Sequence, residues 1–219
     1  MSQQPSQKKA STLRAVIYLT VTALIAVALL ANVERLTRQR INANEAARII
    51  KRLQAVLPAE GYDNEPYLDA IRVPPHELLG STAATSIYRA RRSGQPVAAV
   101  LTATALDGYF GQIRMLVSID ANGRVFGVRV IAHNETPGLG DAIDIQKSDW
   151  IENLNGLMVT ENSSSDWVLK RDGGNFDRIT GATVTSRAVI DSVRNAVIYF
   201  NDNRDEIFLP SPQNSIDTD

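Results

Sequence analysis

The chain has 219 residues, 44% of them hydrophobic and 21% charged, with a formal net charge of −1. That suits one ordinary domain with appendages and excludes a basic nucleic-acid footprint, so no nucleic-acid partner is expected. It contains no cysteine and only two histidines, His76 and His133, which excludes disulfides, thiolate nucleophiles and iron–sulfur ligation by this chain and leaves no zinc set.

In chain order, a polar tail over 1–12 is followed by the apolar run "AVIYLTVTALIAVALLANV", which is free of charge between Arg14 and Glu34. That is close to the ~20 apolar residues that cross a bilayer as a helix, so 13–33 is read as a transmembrane anchor. A cleaved signal peptide is the rival, with Lys8, Lys9 and Arg14 as its basic region and "AVA" at 26–28 as its cleavage site. The run continues through Leu29 and Leu30 without Pro or Gly, which favours a retained anchor. Lys8, Lys9 and Arg14 before it and Arg35, Arg38 and Arg40 after it nearly balance. A short basic N-terminus inside and the large domain outside is the reading adopted, because long domains translocate largely regardless of such charge.

Over 34–60, "EAARIIKRLQAVLP" puts Ala46, Ile49, Ile50, Leu53, Val56 and Leu57 on one helical face, ended by Pro58 and Gly61. The proline-rich stretch to Gly80 reads as an ordered loop. Strands follow over Ser86–Arg91, Pro96–Leu106, Ile113–Asp120 and Arg124–Ala132, with turn signals in "RSGQ" and "ANGR". They predict an antiparallel meander, with Gly108 and Gly111 shaping its middle connection. "HNETPGLGDAI" is then a loop, "DIQKSDWIENLNG" a short helix, "DWVLK" at 166–170 a strand, and "RDGGNFDR" a turn. The last helix buries Val189, Ile190, Val193, Ala196, Val197 and Phe200, and 210–219 reads as a disordered tail. The main domain is thus 61–209.

Two stretches carry residues suited to chemistry. In "DRITGATVTS" a glycine and three threonines stand where a helix begins. A helix N-terminus offers unpaired N–H groups and partial positive charge, suited to a phosphate, and Gly181 and Ala182 let a ligand approach. The plain alternative is that Thr183, Thr185 or Ser186 caps the helix. In "HNETPGLGD", Pro137, Gly138 and Gly140 make a backbone-exposing loop edged by Glu135 and Asp141, either a grip on a polar ring or phosphate or an ordinary turn. The first stretch is not a P-loop, because no Gly-Lys-(Ser/Thr) follows its glycine, and not a dinucleotide fingerprint.

"DRITGATVTS" resembles the flavinylation motif Asp-x-x-(Ser/Thr)-Gly-Ala-Thr of the FMN-binding domain family, and "GYFGQIRMLVSIDANGRVFGVRVIAHNETPGLGD" is similar to the core of the G subunits of Rnf (Rsx) electron-transport complexes. The likeness covers about 13–208. It implies an α+β fold, with a single N-terminal transmembrane helix followed by an FMN-binding domain whose antiparallel sheet is packed by helices. It implies FMN joined covalently to Thr183 through a phosphodiester, with Asp177, Thr180, Gly181 and Ala182 filling the other motif positions and Thr185 beside them. Glu135, Thr136, Pro137, Gly138, Leu139 and Gly140 would line the flavin. The implied partners are the other membrane and peripheral subunits of an ion-translocating complex linking ferredoxin and NAD(H), and a flavin transferase for maturation. No catalytic side chain and no metal is expected of the chain itself, which carries electrons as one subunit. The implied place is the bacterial inner membrane, with the large domain periplasmic. Rival readings are the C subunit of a sodium-translocating NADH:quinone reductase, a flavin-binding sensor module, and an anchored hydrolase with a Thr or Ser nucleophile.

Overall fold

A computed structural model describes residues 18–22, 24, 26, 27, 29, 30, 34, 46–58, 60–160 and 164–209. The chain divides into two compact units, Met1–Arg48 and Ile49–Asp219. Of the anchor expected over 13–33, the described residues are helical, with Tyr18, Leu19, Leu24, Val27, Leu29 and Leu30 exposed. Among the described residues no helix is long and apolar enough to cross a membrane. The expected tails, 1–12 and 210–219, lie outside the described residues.

The second unit is built on a five-stranded antiparallel meander in the order β1-β2-β3-β4-β5. Its strands are β1 (Ala70–Val73), β2 (Thr85–Arg92), β3 (Gln95–Gly108), β4 (Gly111–Asp120) and β5 (Val125–Ala132). Four of these match the alternating runs read from the sequence. The β2–β3 turn puts Ser93 at φ 50° and Gly94 at φ 79°, the two positive angles that match the twist of a tight hairpin. In the β4–β5 turn, Asp120 Oδ1 accepts from the N–H groups of Asn122 and Arg124, and Gly123 takes φ 87°. The stretch expected as an unbroken loop contains β1, which pairs Ala70–Val73 with Tyr88–Thr85 at the sheet edge.

Alternation along the central strands sends side chains to two cores. Ala99, Leu101, Ala103 and Ala105 of β3 and Ile113, Met115, Val117 and Ile119 of β4 face a 26-residue helix, α2 (Thr183–Phe208). The six positions expected on its buried face (Val189, Ile190, Val193, Ala196, Val197 and Phe200) are all buried. Each large apolar side chain so buried contributes about 1.5–3 kcal/mol. On the opposite face Ala98, Val100 and Leu116 pack against Leu53, Val56 and Leu57. Residues 46–54 form the helix α1, and Val56 and Leu57 pack from the turn beyond it. Ile50, expected on that buried face, is exposed.

Two further elements differ from expectation. Residues 166–170 are not a strand: Ser164–Trp167 and Lys170–Asp172 are short 3-10 turns, and only Leu169 makes a bridge, to Phe176. Trp167 and Leu169 are both buried, so their alternation mimicked a strand. The helix expected after Asp144 is a single 3-10 segment, Trp150–Leu154, followed by Gly156 at φ 82°.

The C-terminal end of α2 is held by β2. Arg89 is buried and donates to the carbonyls of Ile207 and Leu209 and to Asp69, while Arg91 donates to Phe208 O and pairs with Asp69 at 2.9 Å. Guanidinium groups at a helix C-terminus complement its partial negative charge. With that end fixed and one face packed on β3, the N-terminus of α2 has a fixed place beside the β5 exit loop.

Candidate functional site

The two glycine-rich stretches meet at an open cleft of about 560 Å³. Glu135, Thr136, Leu139 and Gly140 line it from the loop after β5, and Gly181, Ala182, Thr183, Val184 and Thr185 from the start of α2. Tyr109 and Phe110, from the β3–β4 hairpin end, and Arg178 complete the wall.

Glu135 joins the parts. It is 4% exposed; its Oε1 accepts from Phe110 N–H at 3.1 Å and its Oε2 from the Thr185 hydroxyl at 2.5 Å. Its own N–H donates to His133 Nδ1, which fixes the strand exit. One carboxylate thus ties the hairpin end, the exit loop and the first turn of α2. Two glycines make room for it: a Cβ at Gly108 would lie 2.9 Å from Glu135 Oε1, and one at Gly140 would lie 2.8 Å from Oε2.

The start of α2 is uncapped. Its N-cap is Ala182, which has no side chain to offer, and no acidic residue lies in the first turn. The hydroxyls expected as caps are used otherwise. Thr185 donates to Glu135, and Ser186 donates to Ala182 O while accepting from Ile179 N–H. Thr183 is half-buried in the cleft wall, and its hydroxyl has no partner among the described residues. Gly181 turns the chain into the helix at φ 80°, a conformation that favours glycine, and it lies against the Leu139 side chain, to whose Cδ2 a Cβ would come within 2.9 Å. An uncapped helix start, a free hydroxyl beside it and an exposed guanidinium at Arg178 suit a phosphate-bearing ligand.

Four expected residues stay out of the cleft wall. Asp177 is exposed and pairs with Lys170 at 2.5 Å, while its carbonyl accepts from Trp150 Nε1 at 2.6 Å, so it shapes the turn leading to Gly181. Thr180, Pro137 and Gly138 are exposed; the Gly138 N–H donates to Asp141 Oδ1, and its φ of 79° bends the loop. Tyr109, Phe110, Arg178 and Val184 join the wall without a local sequence motif to mark them. Tyr109 and Phe110 pack edge to face at 4.9 Å and are both exposed, and exposed aromatic residues at a hairpin end are the signal that marks them. Among the described residues no group of three His, Cys, Asp or Glu side chains converges to hold a metal ion.

Residues 108–198 match the FMN-binding domain family. The chain is 43% identical over 175 residues to the G subunit of the ion-translocating oxidoreductase complex of Pseudoalteromonas atlantica, covering 80% of this chain and 81% of that one. It is 42% identical over 200 residues to the corresponding G subunit of Pseudomonas aeruginosa, covering 91% and 94%, and 40% identical over 190 residues to that of Shewanella baltica, covering 87% and 90%. The chain belongs to the family of G subunits of ion-translocating oxidoreductase complexes. Among solved structures, NqrC of Shewanella oneidensis is similar at 19% identity with a TM-score of 0.46, over 66% of this chain and 74% of that one.

Proposed function

We propose that this chain is an electron-carrying flavoprotein subunit of an ion-translocating oxidoreductase complex, anchored in the bacterial inner membrane through 13–33, with FMN joined to Thr183 by a phosphodiester bond. The observation that carries this reading is the Thr183 hydroxyl, which stands in the wall of the cleft at an uncapped helix start and has no partner among the described residues.

The residues present suit FMN. The first-turn N–H groups of α2 would stabilise the negative charge of a phosphodiester on Thr183, an effect of about 0.3–1 kcal/mol where exposed. Arg178 supplies a cation at the same wall, and Gly181 leaves the phosphate room. Leu139, Val184, Tyr109 and Phe110 offer apolar surface to a ring system, while Thr136 and the loop amides offer polar contacts. Glu135 acts through position, holding Thr185 and the hairpin end around the ligand. FMN supplies the capacity to take up and release electrons, which no side chain of this chain has.

Attachment requires the Thr183 oxygen to bond to the FMN phosphorus of FAD as AMP departs and the hydroxyl proton is lost, a step for a flavin transferase. Asp177 and Thr180 serve by shaping the turn that presents Thr183. The partners are the other subunits of the complex, and the electrons run between ferredoxin and NAD(H), with the main domain on the periplasmic side. Anaerobic addition of the electron donor to the purified complex tests the reading. Bleaching of the flavin held by this chain, followed by reoxidation when the acceptor is added, is the expected result. A flavin that stays oxidised while the other centres of the complex turn over contradicts it.

A further inference from the structure

The β3–β4 hairpin end serves two clefts. Tyr109 and Phe110 line the first, whereas Thr104–Asp107 line a second, of about 510 Å³, whose other wall is α2 from Ala188 to Asn195. The flavin reading does not use this second cleft.

Two of its buried polar atoms are unpaired among the described residues. Ser192 is 6% exposed, yet among the described residues its Oγ has no hydrogen-bond partner, and the buried Nε of Arg194 also lacks one. Buried polar side chains are ordinarily hydrogen-bonded, so such exceptions point to a partner not contributed by the fold. Glu77, Asp107 and Asp191 also line this cleft, and among the described residues none of them forms a salt bridge. Three carboxylates against the one guanidinium of Arg194 leave the cleft acidic. The Asp191 carboxyl is held above its ordinary range by burial and by the nearby charge of Asp107, with Arg194 and Arg187 acting in the opposite sense. The excess of carboxylates over guanidinium in the lining favours a cation.

The kind of cation follows from the geometry. Glu77 precedes β2, Asp107 lies on β3 and Asp191 on α2, so the carboxylates come from separate elements and suit an extended group with several N–H donors. The ridge beside it is apolar and exposed, with Leu106 at 54%, Tyr109 at 65% and Phe110 at 57%. Apolar and aromatic surface next to desolvated charge is the anatomy of a protein interface.

We propose that the second cleft receives a lysine or arginine side chain of a partner protein, which covers Leu106, Tyr109 and Phe110 and so stands at the mouth of the flavin cleft. This rests on the reading of the chain as an electron-carrying subunit, because a partner exchanging electrons with that flavin must approach the same ridge. Asp107 and Asp191 bind the cationic head, the Ser192 hydroxyl accepts from it, and Arg194 Nε donates to a carbonyl or carboxylate of the same partner.

The test uses the full chain purified with its complex in detergent, carrying Asp107→Asn and Asp191→Asn together. A second variant, Leu106→Asp, addresses the ridge without touching the carboxylates. The expected result is unchanged flavin fluorescence on the denatured band, with co-purifying subunits reduced about tenfold in both variants at ~0.15 M salt. In the wild type, retention should fall as salt rises, and zero-length carbodiimide coupling should join Asp107 or Asp191 to a lysine of another subunit. Flavinylated variants that retain their partners at every salt concentration would overturn this inference and leave the electron-carrier reading intact. A flavinylated wild type that retains no other subunit at any salt concentration would overturn both.

Discussion

Removing the Glu135 carboxylate tests the claim that one side chain joins the three segments of the flavin cleft. In Glu135→Ala the buried Thr185 hydroxyl loses its acceptor, and so does the Phe110 N–H. A buried donor left unpaired costs about 1–3 kcal/mol, and each hydrogen bond to a charged acceptor contributes about 1.5–3 kcal/mol net. Water reaches the exposed Phe110 but not Thr185, so the sum is about 2–5 kcal/mol. For a domain of this size each kcal/mol shifts Tm by about 2–4 °C, giving a fall of about 4–20 °C. Trp150 and Trp167 are both buried, so their fluorescence reports the transition. Thr185→Val should cost about 1.5–3 kcal/mol alone, because Glu135 keeps only its bond from Phe110. In the double variant Glu135→Leu/Thr185→Val the costs should not add, since both partners are then apolar. A Tm for Glu135→Ala within ~1 °C of wild type would refute the reasoning.

Gly80→Ala should destabilise far more than Gly94→Ala. A Cβ at Gly80 would lie 1.9 Å from the Thr104 carbonyl, whereas nothing stands within 4 Å at Gly94, so the latter should cost only the left-handed strain of about 1–2 kcal/mol by chemical denaturation. Arg89→Ala should cost about 1–3 kcal/mol, because it leaves the carbonyls of Ile207 and Leu209 without their buried donor while Asp69 keeps its pairing with Arg91, and amide exchange should rise first in the last turns of α2. The raised Asp191 carboxyl gives a pH signature. Its folded pKa lies above the unfolded one, so its contribution to stability is present in acid and is lost as pH rises through the folded value. Asp191→Asn should therefore raise Tm at pH ~7, and that gain should vanish toward pH ~3. A gain that is flat with pH would contradict the assignment.

The sheet was readable because its strands obey simple rules. Alternation marked β2–β5, and the "ANGR" turn announced its hairpin through an aspartate and a glycine with positive φ. β1 escaped because four residues between proline-rich flanks carry little periodicity, and only pairing with β2 makes them a strand. Trp167 and Leu169 misled in the opposite direction: two buried residues two apart look like a strand, but their burial comes from irregular chain. For the cleft, both glycine-rich stretches were legible, since glycine marks close approach. Their joint was not, because the Thr185–Glu135 bond spans 50 residues and nothing local in the sequence pairs them. The uncapped start of α2 was equally hidden, since Thr183, Thr185 and Ser186 are all plausible caps until their partners are known.

The most direct measurement follows Thr183 itself. The full chain and its Thr183→Ala variant would be co-expressed with a flavin transferase, denatured, separated on a gel and weighed intact. The account predicts flavin fluorescence on the wild-type band with the mass of one added FMN unit, and a dark variant of unmodified mass that folds with the same Tm. A dark wild-type band in the presence of active transferase, or an equally fluorescent variant, would contradict it.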